Sequence, residues 1–465
     1  MTDKITNTLA SFANRITYET LSEDVINEVK RRVIDTFACL ISGYQYDAST
    51  AARKLASRYE KEKGATVIGT TEKVAVDYAT FANGTAVRYL DYNDTYLSVE
   101  PLHPSDVIAP LLALAEERGL SGKKLITAIA VAYEVGVNFC DSASLKSNGW
   151  DHVNYITLAT AVGGANLLGF NEEQTEQAIS LAIVPHAAMR QTRNGEISMW
   201  KAAAAANAAR NAVFALQLAE CGMKGPYEPI VGTMGVNYQM LNRKLDVDAV
   251  AAKFQEITSP EAILKTYVKN WAVEYMTQSA IEAALLLHKQ IDSLDEIESI
   301  HIETFQMAFD ILAKDEQKWA PETRETADHS LPFIVMAALE DGEITIDTFA
   351  EQRLRTESTL QRIKSLMTIE VTEEMNAGYP DGNPNRITVT LKDGRTLREI
   401  VKHPAGHSGN PFTDEQINEK FYRLTDSFLD ASEREIGIAL LRKLDEIEDY
   451  SELMKCFVVK TEVFA

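Results

Sequence analysis

The chain has 465 residues, 45% hydrophobic and 25% charged, an ordinary globular composition with length enough for two cores. A net charge of −22 excludes broad electrostatic attraction to nucleic acid or to an anionic membrane, while leaving room for a small polyanion held by a few converging cations. Cys39, Cys140, Cys221 and Cys456 lie far apart with no CxxC pair, which argues against a disulfide framework or a structural zinc site. The longest apolar runs, such as residues 107–115, are short and carry Pro110, so no membrane span is expected; the polar opening "MTDKITNTLASFANRITYE" lacks a signal-peptide core and the expected location is cytoplasmic.

The first strong helical pattern starts at Ser22: Val25, Ile26, Val29, Val33, Phe37, Leu40 and Ile41 share one face, Glu23 and Asp24 occupy the first turn, and Gly43 follows as a stop. Next comes an irregular polar stretch, "LDYNDTYLSVEPLHPSD" at residues 90–106. Helical patterns resume over 121–140, 171–184 and 200–218. Within the last, "KAAAAANAAR" carries so little side-chain bulk that its neighbours can approach closely, as in the middle of a bundle.

From about residue 263 short alternating segments appear: "SIHIETF" (299–305), "MTIEVT" (367–372) and "RITVTLKDGRTLREIV" (386–401), a hairpin turning at Asp393-Gly394. Helical patterns at 274–291 and 330–339 lie between them. At "PFTDEQI" helices return, with Thr413 and Gln416 in a capping box and Phe412 able to staple onto Ile417. The expected fold is mainly α: a large all-helical domain from residues 1–262 and 402–465, with a smaller α+β domain, 263–401, inserted between them.

Several familiar chemistries can be set aside. "AVGGANLLG" does not match GxGxxG and follows no strand, so Gly163 and Gly164 read as close helix packing. His403 and His407 in "HPAGH" are four apart, but Pro404 and Gly406 oppose the helix that would align them. "DYNDTY" resembles the opening of a calcium loop until its sixth place, where Tyr96 stands instead of glycine. No Walker loop or HExxH occurs, and no metal or cofactor is expected.

In residues 90–106 the structural reading makes Ser105 or Asp106 the cap of a helix through Leu112. It accounts less well for the crowding of Asp91, Asn93, Asp94, Thr95 and His103, since one cap suffices per helix end. His152 in "DHVNY" reads by itself as a partly buried histidine at a helix entrance. "RQTRNGEISMWK" offers Arg190, Arg193 and Lys201; Met199, Trp200 and the following alanines suggest an interior location, where a lysine needs an anionic partner.

Taken together, "LDYNDTY…HPSD", "RQTRNGEISMWKAAAAANAAR", "KNWAVEYMTQSAIEAAL", "ETRETADHSLP", "ITVTLKDGR" and "HPAGHSGNPFTDEQINEKF" resemble the MmgE/PrpD family in order and over nearly the whole chain. The resemblance implies that the inserted α+β domain is a lid and that the protein is a homodimer with its site at the domain junction. It implies catalytic roles for Asp91, Thr95 and His103, and substrate binding by His152, Lys201 and Lys269, with Lys265 competing for the last place and Arg193 as a weaker cation. The family includes 2-methylcitrate dehydratase, cis-aconitate decarboxylase and iminodisuccinate epimerase, which act on small di- or tricarboxylates. Dehydration of 2-methylcitrate or a close hydroxy-tricarboxylate is the leading expectation, with His103 moving the proton and Asp91 orienting it or sharing the duty. Decarboxylation or epimerisation comes second. Met276 and Phe333 stand where many relatives have a histidine and a tyrosine, which motivates a third reading, a non-catalytic metabolite-binding relative.

Overall fold

The computed structural model describes residues 3–195 and 197–460. The fold is mainly helical, and the chain forms two compact units: Met1–Val268 with Thr413–Ala465, and Lys269–Phe412.

In the first unit helices form over the stretches where the sequence pattern placed them. Ser22 accepts the Val25 N–H and opens Glu23–Gly43, and capping boxes at Asn171 and Thr413 open Glu172–Ile183 and Asp414–Thr425. Gly43 serves a different purpose from the stop expected of it. The residue after it remains right-handed, and a Cβ at Gly43 would collide with the Ala86 carbonyl of the helix Val76–Tyr89. Glycine permits that crossing.

The alanine-rich helix Trp200–Glu220 is packed by Val76–Tyr89, Val153–Leu168 and Glu172–Ile183. A Cβ at Gly84 would sit 2.9 Å from that of Ala206, and one at Gly163 would sit 2.7 Å from the Ala128 carbonyl of Gly122–Ser142. Small residues thus bring these backbones together.

The sequence reading of apolar length needs one correction: Gly122–Ser142 is long and apolar enough to cross a membrane by composition alone. It is 89% buried within the fold, and a helix apolar on every side is what such a position selects. Residues 263–268 pack in the first unit, because Tyr267 pairs with the Thr95 backbone and Arg32 holds Thr266.

The second unit carries a four-stranded mixed sheet in the order Met367–Val371, Ile297–Thr304, Asn385–Leu391, Thr396–Val401. The first pair is parallel and the others antiparallel, with Ile302 opposite both Ile369 and Ile387. Alternation sorts the central strand: Ile300 and Ile302 are buried, while His301 and Glu303 face the other way. Gly394 turns the hairpin with φ +89°, and the helix Gln278–His288 packs on its two strands.

Candidate active site

The polar stretch begins where the helix Val76–Tyr89 ends. Leu90 is the last right-handed residue, and Asp91 turns the chain with φ +51°, a left-handed conformation that costs an aspartate energy unless its surroundings hold it. The chain then forms a short hairpin, Tyr96–Leu97 against Pro101–Leu102, and a 3-10 turn at Pro104–Val107 that leads into Ile108–Arg118.

Buried polar groups fasten this segment at several points. Arg88 Nη1 donates to Asp91 Oδ1 at 2.9 Å and to Asn93 Oδ1 at 2.7 Å. The Asn93 amide donates in turn to Ser105 Oγ at 2.8 Å and Asp106 Oδ1 at 3.0 Å. Asp94, fully buried, accepts from the Ser105 N–H at 2.9 Å and the Tyr133 hydroxyl at 2.8 Å. The capping expected of Ser105 or Asp106 is therefore wrong. Val107 precedes the helix with no side-chain cap, and Asp94 caps the 3-10 turn from across the loop.

His103 is oriented by a backbone group. Its Nδ1 lies 2.9 Å from the Asp94 carbonyl, and because a carbonyl only accepts, Nδ1 carries the proton. Neutral His103 therefore presents its basic lone pair at Nε2, which lies 3.8 Å from Asp91 Oδ1. On the far side of Asp91, Lys201 Nζ lies 3.3 Å from Oδ2. The close approach of Gly84 to Ala206 makes this meeting possible, since from there the two helices run in opposite senses toward Asp91 and Lys201.

Met199 and Trp200, read from the sequence as interior, are exposed at 57% and 45%. The helix starts at the surface, and burial begins at Ala202. Lys201 is nevertheless mostly covered, and Asp91 is the anionic partner that its position requires.

His152 leads into Val153–Leu168 with its ring centroid 5.7 Å from that of His103. Burial, reinforced by the nearby Arg193 charge and only partly opposed by Asp151, pulls its pKa down to about 3, so it is neutral at physiological pH. Its Nδ1 is 3.3 Å from Asp151 Oδ1 without hydrogen-bond alignment, and neither ring nitrogen has a hydrogen-bond partner. Arg193 Nε bonds both oxygens of buried Asp151 at 3.1 Å, while its buried Nη2 is unpartnered. Burial raises the Asp151 pKa, but the Arg193 guanidinium, by its charge and its hydrogen bonds, outweighs it and holds it below the usual carboxylate value.

Asp106 behaves in the opposite way. Burial, with Asp94 adding to it and Arg88 opposing, pushes its pKa up to about 7, and its Oδ2 has no hydrogen-bond partner. Buried polar atoms without a hydrogen-bond partner are uncommon in folded proteins, and those of His152, Arg193 and Asp106 lie in one neighbourhood. A proton acceptor at His103 Nε2, a carboxylate, an ammonium and a neutral histidine together suit proton transfer on an anionic molecule.

The structure thus gathers Asp91, His103, His152, Lys201 and Arg193 in the first unit. Thr95 lies in the same loop, but its hydroxyl donates to the Leu102 carbonyl at 3.2 Å and its backbone pairs with Tyr267. Lys269 is the first residue of the second unit; it is buried, and its Nζ donates to the Val273 carbonyl at 3.0 Å. Its competitor Lys265 is exposed. Met276 and Phe333 are both buried in the second unit, Phe333 beside Phe349. Among the described residues, no group of His, Cys, Asp and Glu side chains converges in a set that could hold a metal ion.

Sequence reasoning overlooked Arg88 and Asp151 and read Asp106 only as a cap. The available signals were a lone arginine in the otherwise apolar end "NGTAVRYL" and an acid directly before His152.

Residues 7–248 match the MmgE/PrpD N-terminal domain and residues 271–446 the MmgE/PrpD C-terminal domain. Similar proteins include a mitochondrial 2-methylcitrate dehydratase of Yarrowia lipolytica, 26% identical over 87% of this chain and 80% of its own length. The 2-methylcitrate dehydratase of Escherichia coli K12 is 25% identical over 84% of each chain. A cis-aconitate decarboxylase of Mus musculus is 23% identical over 98% of this chain and 93% of its own.

Proposed function

The chain belongs to the MmgE/PrpD family, and from that premise we propose that it is a dehydratase, a carbon–oxygen lyase that removes water from a small hydroxy-tricarboxylate, with 2-methylcitrate the foremost candidate. The observation that carries the reading is the placement of His103 Nε2 and Lys201 Nζ on either side of the Asp91 carboxylate.

Dehydration needs a base for the hydrogen next to a carboxylate and an acid for the departing hydroxyl. In this proposal His103 Nε2, its ring held by the Asp94 carbonyl, accepts the carbon-bound proton and returns it to the departing hydroxyl, which leaves as water, while the ionised Asp91 carboxylate shares the duty by supporting the protonated ring. Positioned groups of this kind typically contribute ~10²–10⁴-fold each. As the carbon–hydrogen bond breaks, negative charge grows on the adjacent carboxylate, so Lys201 and Lys269 stabilise the transition state more than the ground state. Arg193 contributes less, because Asp151 already engages its Nε. Neutral His152 offers one donor and one acceptor to substrate hydroxyl or carboxylate oxygens.

Decarboxylation of cis-aconitate is the second reading, favoured by the longer reach of the Mus musculus relative over both chains. Incubating the protein with 2-methylcitrate, citrate, cis-aconitate and iminodisuccinate, with products followed by NMR, distinguishes the reactions. Loss of water from 2-methylcitrate supports the proposal; turnover of cis-aconitate alone selects the second reading. The reaction is proposed to need no metal or cofactor, and EDTA should leave the rate unchanged. The working form is proposed as a cytoplasmic homodimer; the exposed Met189, Met199 and Trp200 are apolar surface of the kind that subunit contacts cover.

A further inference from the structure

Arg88 is 2% exposed, and its charge sits among acids from three parts of the chain: Asp91 in its own turn, Asp106 in the 3-10 turn and Asp151 before Val153–Leu168. Burial works against that charge, but Asp91 and Asp106 outweigh it and hold the Arg88 pKa above its usual value. The hydrogen bonds are distributed unevenly. Nη1 donates to both Asp91 and Asn93, two residues apart, whereas Nε stands 3.7 Å from Asp106 Oδ1 with no hydrogen-bond partner. A guanidinium present only to neutralise buried acid would have reason to bond Asp106 as well. This one bridges the strained turn.

We infer that Arg88 is a positioning residue: by gripping Asp91 and Asn93 with one nitrogen it holds the left-handed Asp91 backbone in place and keeps the carboxylate ionised and set between Lys201 and His103. The inference rests on the proposed role of Asp91 in the reaction. Among the described residues, Arg88 from the preceding helix end, Lys201 from Trp200–Glu220 and His103 from the end of the hairpin face the Asp91 carboxylate. Lys201 lies on the Oδ2 side, so loss of Arg88 removes the short charge-assisted bond to Oδ1 and favours protonation.

The test uses the full chain with Arg88→Gln, Arg88→Lys and Asn93→Ala. Arg88 acts through Asp91 and does not hold substrate, so KM should stay within about twofold. The kcat should fall about 10–100-fold, the scale of losses from misplaced reacting groups. The acid limb of kcat/KM should move to higher pH in Arg88→Gln and stay near the native position in Arg88→Lys, which keeps the charge but loses the planar grip. A second readout needs no substrate: carbon-13 NMR of the aspartate carboxyls in the resting protein, with the Asp91 signal identified by its absence in Asp91→Asn. Its titration midpoint should rise in Arg88→Gln and return in Arg88→Lys.

If the proposed reaction is wrong, the carboxyl titration still moves. If the titration and the acid limb stay put while activity falls, Arg88 is structural only and the inference is overturned. Should Arg88→Gln fail to fold, Asn93→Ala loosens the same grip from its other end; lowered kcat at unchanged KM supports the inference, and native kcat contradicts it.

Discussion

His103 Nδ1 donates a 2.9 Å hydrogen bond to the backbone carbonyl of Asp94. That bond fixes the tautomer through a group that does not titrate, so Nε2 remains the basic nitrogen at any pH where the ring is neutral. The His103 tautomer thus does not depend on Asp91, whose carboxylate lies 3.8 Å from Nε2 on the other side of the ring. The same Asp94 ties the loop together through its side chain, which joins the 3-10 turn to Tyr133.

The anchoring role of the lysines predicts a paired kinetic effect. Lys201→Ala and Lys269→Ala should each raise KM and lower kcat, because their charges offset substrate carboxylates in the ground state and more strongly in the transition state. Steady-state kinetics on the substrate found by NMR checks this. Native values of both constants in either variant would remove that lysine from the site.

Asp106 predicts a pH dependence of stability with a definite sign. Its folded pKa, about 7, lies above the ordinary value of 3.8, so the native state holds a proton that the unfolded chain has released between those two pH values. The stabilisation it contributes is complete below pH about 4 and is lost as pH rises through 7. Asp106→Asn keeps a neutral side chain throughout and should gain on the native protein by up to about 4 kcal/mol between pH 4 and pH 8. Urea denaturation at the two pH values measures the gain; an equal difference at both would contradict the assignment.

Lys420 predicts a purely structural loss. On the helix Asp414–Thr425, it pairs with buried Asp35 at 2.5 Å, donates to the Tyr92 carbonyl at 3.0 Å and lies 4.1 Å from the centre of the Tyr92 ring. Lys420→Met leaves the Asp35 charge buried and alone, which should cost about 3–5 kcal/mol in unfolding free energy. Thermal and urea melts check it. A loss below 1 kcal/mol would mean that Asp35 finds another partner or water.

What could be read from the sequence was whatever depends on local pattern. Ser22, Asn171 and Thr413 announce helix starts because a cap acts within three residues, and Ile300 and Ile302 announce a strand because its faces alternate. The candidates Asp91, His103 and Lys201, which the structure brings together, could be singled out through their type and through the family motif that carries them. Their partners were not. Nothing in the sequence says that a backbone carbonyl orients His103, that Arg88 reaches forward to the turn rather than out to solvent, or that Gly84 meets Ala206. These depend on contacts between distant segments. Asp106 was misassigned for the same reason, since a short acid before a helix has the pattern of a cap and only the remote Asp94 shows that the position is already served.

The central claim is that residues 90–106 carry the proton chemistry of the site. His103→Ala and Asp91→Asn, assayed on the substrate identified by NMR with circular dichroism and thermal melts alongside, test it most directly. The account predicts that each lowers kcat by ~10²-fold or more while the melting temperature moves little. Near-native turnover by either folded variant would return that residue to a structural role and contradict the mechanism.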